Sequence, residues 1–219
     1  MGSRKTPYAT TKSRLSSDGR CRTYPSDFNP RNNWSGTKLV SKKMKQIVLA
    51  IETTGPYVID GHRVIEIACL ALNVPRRKSS SFHCRLNPER DVDPGAAEVH
   101  GFTFKDLKHE PIFTAIAADF LKFISGAELL IQNAPFHVAF LNAELLRLGF
   151  PRLESICTIT DTYELAREMY PGEPNSLSFL CRRFGIPELA SGSGLVRDVR
   201  LLAEVYLAMT GRRRTPSAA

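Results

Sequence analysis

The chain predicts an α/β fold in which a five-stranded mixed sheet carries helices on both faces. Three observations point to it. Three strand-like segments follow one another between residues 46 and 86. Two further short apolar runs then alternate with segments of helical periodicity, and beyond residue 160 only helical patterns remain. Strands, then strand–helix alternation, then helices is the order of a mixed sheet covered on both sides. With 219 residues and 42% hydrophobic content, the chain is long enough for one well-packed domain.

The elements follow in order. A short apolar run over 46–51 predicts a buried first strand, and Glu52-Thr53-Thr54-Gly55 after it reads as a tight turn. Clearer alternation marks strands over 63–73 and 80–86, with Pro75-Arg76-Arg77-Lys78-Ser79 as the hairpin turn between them. Irregular chain with short helical turns runs on to Glu110. Ile112, Phe113, Ile116, Phe120, Phe123 and Ile124 then form a helical stripe. Leu129-Leu130-Ile131 is a short buried strand, Phe136 to Leu148 a second amphipathic helix, and Ile156 to Ile159 the fifth strand. Helices close the domain at about 161–169, 176–184 and 194–209. No internal repeats occur.

Charge divides the chain unevenly. Residues 1–45 hold 11 Lys/Arg against Asp18 and Asp27, a net of +9, while the remainder is close to neutral at −1. The expected organisation is a basic, disordered leader over 1–44, a folded domain over 45–211 and a disordered tail over 212–219. The leader has three readings: a flexible nucleic-acid or partner-binding arm, an organelle transit peptide lacking a clear amphipathic helix, or a disordered segment foreign to the native protein, since Met44 offers a second start. No apolar run is long enough to span a bilayer. The five cysteines are odd in number and contain no CxxC pair, which argues against a disulfide framework or zinc site and for a reducing, cytoplasmic compartment.

The end of the first strand carries the chemistry. Carboxylates at such a strand end are how a phosphoryl-transfer enzyme fixes divalent metals on a rigid element. Glu52 is present, but the position two before it, on the same face of the strand, is Ala50.

Around this strand end the sequence resembles the DnaQ-like (DEDDh) 3′–5′ exonucleases, most closely the proofreading epsilon subunit type of bacterial DNA polymerase III. The resemblance runs from 46 to 211. It is carried by Gly61-His62-Arg63-Val64-Ile65-Glu66-Ile67, Phe82-His83, Leu86-Asn87-Pro88-Glu89-Arg90, Val99-His100-Gly101, Gly126-Ala127-Glu128-Leu129, Asp161-Thr162, Ala166-Arg167, Asn175-Ser176-Leu177 and the segment Leu202 to Gly211, all in family order and spacing. It implies a ribonuclease H-like exonuclease fold, and removal of 3′-terminal nucleotides by two Mg²⁺ or Mn²⁺ ions held by four carboxylates, with a histidine as general base.

Carried over residue by residue, the resemblance gives an incomplete catalytic set. The first carboxylate position is Ala50 and the second is Glu52. In Gln132-Asn133-Ala134-Pro135-Phe136-His137 the third carboxylate is replaced by His137, and the histidine of that motif by Gln132. In Ser193-Gly194-Leu195-Val196-Arg197-Asp198 the carboxylate Asp198 stays and the general base becomes Ser193. Three of five catalytic positions are changed. Loss of a general base alone costs about 10²- to 10⁴-fold, and two carboxylates cannot hold two hard cations roughly 4 Å apart. At most one Mg²⁺ or Mn²⁺ is expected. A sharper alternative makes Glu52, Asp198 and His137 a new site for a softer metal.

The resemblance also places Thr53 and His100 near a substrate's terminal nucleotide. Phe136 reads as core rather than as a stacking surface, Asp161 as a helix cap rather than a ligand, and Arg182-Arg183 as a solvated helix face rather than a phosphate contact. The leading expectation is a pseudo-exonuclease that binds single-stranded DNA or RNA 3′ ends or serves as a structural partner in replication or repair. The alternatives are an active metal-dependent proofreading exonuclease and a pure protein-interaction module. No clamp-binding Gln-x-x-hydrophobic peptide follows the domain.

Overall fold

The structure, a computed structural model, describes residues 13–15, 21–23, 44–72, 81–187 and 194–212. Two three-residue strands lie in the leader, β1 (Ser13–Leu15) and β2 (Cys21–Thr23), paired antiparallel. The sequence reading expects no regular structure there. A two-stranded ladder of this size has marginal stability alone.

The main sheet comprises β3 (Gln46–Thr53), β4 (Val64–Leu72), β5 (Ser81–Arg85), β6 (Glu128–Ile131) and β7 (Thr158–Asp161). Its order is β5-β4-β3-β6-β7. The β3–β4 and β4–β5 pairs are antiparallel, β3–β6 and β6–β7 parallel. The sheet is mixed and five-stranded, as the pattern predicts. The proposed hairpin turn at 75–79 and most of the tail lie outside the described residues.

Alternation along β3 sorts its side chains to two cores. Ile47, Leu49 and Ile51 face a cluster built with α3 (Phe113–Ile124) and α4 (Ala134–Arg147), where Phe120 and Phe140 are fully enclosed. Val48 and Ala50 face the other side, against Leu195, Val199, Leu202 and Tyr206 of α7 (Leu195–Met209). A third cluster joins α5 (Thr162–Met169) and α6 (Leu177–Arg183) to α7 through Ala166, Leu180 and Val205. The connection between β5 and α3 contains α1 (Pro94–His100) and α2 (Phe104–Leu107).

Several boundaries differ from expectation: β3 runs on through Glu52 to Thr53 instead of ending at residue 51, and α4 begins at Ala134 rather than Phe136. The fifth strand starts at Thr158, not Ile156. The amides of Ile156 and Cys157 both bond back to the Leu153 carbonyl at 2.9 Å, closing a 3₁₀ turn, and pairing with β6 begins only at Thr158 opposite Glu128. Arg212, expected to open the tail, is tied in: its amide donates to the Leu207 carbonyl and its Nη1 to Gln46 Oε1 at 2.6 Å.

Candidate functional site

β3 and β4 lie in register with Ala50 opposite Ala68 and Glu52 opposite Glu66, and the pairing slips between Glu52 and Thr53. A bulge of this kind re-aims side chains at the end of a ladder. Ala50, Glu52, Ala68 and Glu66 share the α7 face. Asp198, in the first turn of α7, faces the same strand end. Burial, the Glu66 charge and then the Asp198 charge push the Glu52 carboxyl up to about 7.

Glu66, 4% exposed, is the member that the sequence reading assigned to the scaffold alone. His83 Nε2 stands 2.7 Å from its Oε1 and Arg85 Nε 3.5 Å. The signal available in the sequence was a carboxylate inside an otherwise apolar strand. Its meaning required the register.

The turn after β3 is held from several sides. Thr53 Oγ1 donates to the Gly55 carbonyl at 2.8 Å. Thr54 Oγ1 accepts the Arg63 amide and lies 3.0 Å from His62 Nδ1. Asp93 Oδ2 lies 3.3 Å from His62 Nε2, and the Asp93 amide donates to the Thr54 carbonyl. A Cβ on Gly55 would fall 2.3–2.6 Å from the His62 ring, so only glycine permits this approach.

His100 ends α1 beside this turn. Its Nδ1 accepts the Phe102 amide at 3.2 Å, which leaves the ring proton on Nε2. Burial lowers its pKa, offset by the Thr53 backbone and the Glu66 charge, so the ring is neutral at physiological pH. His100 Nε2 is buried beside the Thr53 backbone and makes no hydrogen bond of good geometry, the single such side-chain atom among the described residues.

Opposite this turn, β3–β6 pairing stops at Val48–Leu130. The Ile51 amide beyond it donates to His137 Nδ1 at 3.2 Å. Burial draws the His137 pKa down to about 4 against the opposing pull of the Asp161 charge and the Gln132 backbone. The ring is therefore neutral, with Nδ1 used as an acceptor and the proton on Nε2. A metal ligand needs a free nitrogen lone pair, and this arrangement leaves none. Among the described residues, no group of three or more His, Cys, Asp or Glu side chains is placed to hold a metal ion. Ala50 packs with the α7 core cluster. Ser193 lies outside the described residues.

The secondary candidates resolve into structure. Asp161 accepts the amides of Asn133, Ala134 and Tyr163 at 3.2, 2.8 and 2.8 Å, so it caps α5 and also fixes the start of α4. Gln132 bridges the Asn175 carbonyl and the Thr162 hydroxyl. Phe136 packs on Phe140, with ring centroids 5.0 Å apart. Arg183 lies over the Tyr170 ring and donates to Asn175 Oδ1, while Arg182 covers Phe179. Arg197 pairs with its neighbour Asp198. Its Nε stands 3.3 Å from Asp198 Oδ1, with both side chains about two-fifths exposed.

A five-stranded mixed sheet with acidic residues at the end of its central strand, opposite the start of the last helix, defines the DnaQ-like class of ribonuclease H-like exonuclease folds. The chain belongs to the Exonuclease family, whose profile matches residues 47–206. It is 43% identical over 178 residues to the DNA polymerase III subunit epsilon of Pasteurella multocida, spanning 78% of this chain and 70% of that protein. The Escherichia coli K12 subunit is 42% identical over 174 residues, with 76% and 72% coverage. The Rickettsia typhi subunit is 42% identical over 177 residues, with 78% and 76%. Among solved structures, Exonuclease X in complex with 5′ overhanging duplex DNA superposes with a TM-score of 0.56 at 18% identity. That superposition covers 76% of this chain and 91% of the other, a likeness of fold.

Proposed function

We propose that this epsilon-type protein is a pseudo-exonuclease: it keeps the groove that receives a nucleic-acid 3′ end and has lost metal-dependent hydrolysis. The observation that carries this reading is the state of His137, which occupies a family carboxylate position and spends its Nδ1 on the Ile51 amide. With Ala50 apolar, the family's acidic set is reduced to Glu52 and Asp198, and Glu66 beside them is already paired with His83. This donor set does not fit two divalent ions. His100, whose buried Nε2–H lies beside the Thr53 backbone at the strand end, supports a retained contact with a terminal nucleotide oxygen. Relatives named as DNA polymerase III subunits favour a replication setting, and DNA over RNA for the 3′ end.

The competing reading is an active proofreading exonuclease. It draws on identity above 40% to the epsilon subunits and on the clustering of Glu52, Glu66 and Asp198. Release of a 3′-terminal nucleotide from labelled single-stranded DNA separates the two, with Mg²⁺, Mn²⁺ or EDTA. The variant Ala50→Asp/His137→Asp/Ser193→His is run beside the wild type. Cleavage by the restored variant alone, at least 10²-fold above wild type, is the expected result. Metal-dependent cleavage by the wild type would reverse the assignment.

A further inference from the structure

β5 is an edge of the sheet, and its alternation decides which of its side chains face the strand-end groove. Phe82 and Cys84 point into the core with α3, so His83 and Arg85 lie on the opposite face, with Ala50, Glu52, Ala68 and Glu66. The register sets two rows across the three strands. Ala50, Ala68 and His83 form one, and Glu52, Glu66 and Arg85 form the other. α7 packs over β3 and β4 on this face, whereas the His83 and Arg85 side chains remain 40% and 45% exposed.

The contacts of the Arg85 guanidinium fix its place. Its Nε lies 3.5 Å from Glu66 Oε1, the oxygen that also stands 2.7 Å from His83 Nε2. The guanidinium carbon lies 4.5 Å from the centroid of the Phe102 ring. Phe102 in turn stacks on His100 with centroids 5.7 Å apart and planes at 23°, and His100 borders the Thr53 backbone. A connected line therefore runs from the end of β3 to the sheet edge through His100, Phe102 and Arg85. A guanidinium laid against an aromatic ring keeps its N–H fork in its own plane. Glu66 is met through Nε, which leaves the forked Nη groups for a phosphate. The two steps along the line carry this fixed cation beyond the nucleotide that His100 would meet.

We propose that Arg85 holds the phosphate 5′ of the penultimate nucleotide, so that a 3′ end is bound through two subsites. The strand-end turn with His100 takes the terminal nucleotide, and the β5 edge takes the next phosphate back. This rests on the 3′-end reading and deepens it, because it gives the bound strand a direction, from β3 out across β5.

The test uses the full chain in EDTA with a short 5′-fluorescein-labelled oligothymidylate bearing a free 3′-hydroxyl, followed by anisotropy. Excess circular single-stranded DNA occupies any surface that needs no end. TpT and pTpT, which differ only in the phosphate assigned to Arg85, then compete for the wild-type site. pTpT should compete about tenfold better. In Arg85→Gln that advantage should fall to about twofold or less. The slope of log affinity for the labelled strand against log salt should shrink by about 0.7, one phosphate contact. The comparison is repeated between Glu66→Gln and Glu66→Gln/Arg85→Gln, where Arg85 has no carboxylate to balance, and the same loss is expected. Thermal melts confirm that each variant is folded. An advantage of pTpT that survives Arg85→Gln overturns the inference. So does a loss seen only while Glu66 is present, which would make Arg85 its counter-charge alone. Either result leaves a protein that binds 3′ ends. Failure of the wild type to bind the labelled end overturns the inference together with the reading beneath it.

Discussion

The two flanks of β3 have been treated differently. On the antiparallel flank, toward β4 and β5, polar groups are paired in depth: Thr54 with His62 and Asp93, Glu66 with His83 and Arg85. On the parallel flank, toward β6 and α4, the family's carboxylate position holds His137, which bonds to a strand amide instead of standing open to a cation. A scaffold contact and a metal ligand make opposite demands. The first is satisfied within the fold, whereas the second must keep a lone pair and a charge uncompensated until the ion arrives. Under the pseudo-exonuclease reading, the bond from the Ile51 amide to His137 stands on the parallel flank where the family holds a metal ligand.

Breaking the Arg63–Glu144 pair should have the largest effect on this contrast. Glu144 is 2% exposed, accepts Arg63 Nε at 2.7 Å and Nη2 at 3.0 Å, and also takes the Val64 amide at 3.3 Å. It fastens α4, and so His137, to the start of β4. Glu144→Ala leaves the Val64 amide without this acceptor and the largely buried guanidinium with only the Pro88 carbonyl at 3.4 Å and Glu89 at 3.7 Å, an expected loss of about 3–5 kcal/mol. Urea denaturation followed by circular dichroism would measure it. A loss below about 1 kcal/mol would mean that α4 is held by its apolar face alone.

His137→Ala probes the other flank. Removing the acceptor of the Ile51 amide should cost about 1–3 kcal/mol, read from the urea midpoint in EDTA. A side chain kept only as a metal ligand would leave that midpoint unchanged. The two costs together would show whether the parallel flank has become scaffold.

Much of the fold was legible because hydrophobic periodicity is local. The α3 stripe from Ile112 to Ile124 matched the helix to within one residue. The strand at 156–159 was misplaced because Ile156 and Cys157 are buried by a 3₁₀ turn, and burial in a turn looks like burial in a strand. The site was legible only where two partners lie on one strand, as with Ala50 and Glu52. Glu66 was not legible as a site residue because its place beside Glu52 depends on register across a hairpin. The bond from Ile51 to His137 spans 86 residues, a distance over which no sequence pattern speaks.

The smallest effect concerns the carboxylates left behind. Glu52 takes up its proton near 7 in the folded protein against 4.5 for the ordinary side chain, through burial and the charges of Glu66 and Asp198. Between those values the native state binds more proton than the unfolded state, so stability falls as pH rises from about 4.5 to 7 and levels off above. Glu52→Gln removes the ionisation. In EDTA it should be more stable than wild type at pH 8 by about 1–2 kcal/mol, allowing for solvent screening, with the gap vanishing by pH 4. Thermal melts across that range would record it. A divalent ion bound among these carboxylates would reverse the sign at pH 8, because the charge repelled in EDTA would then be the charge that binds. Repeating the melts with Mn²⁺ therefore sharpens the comparison between flanks. A protein whose groove has closed to metal shows the same gap with and without the ion.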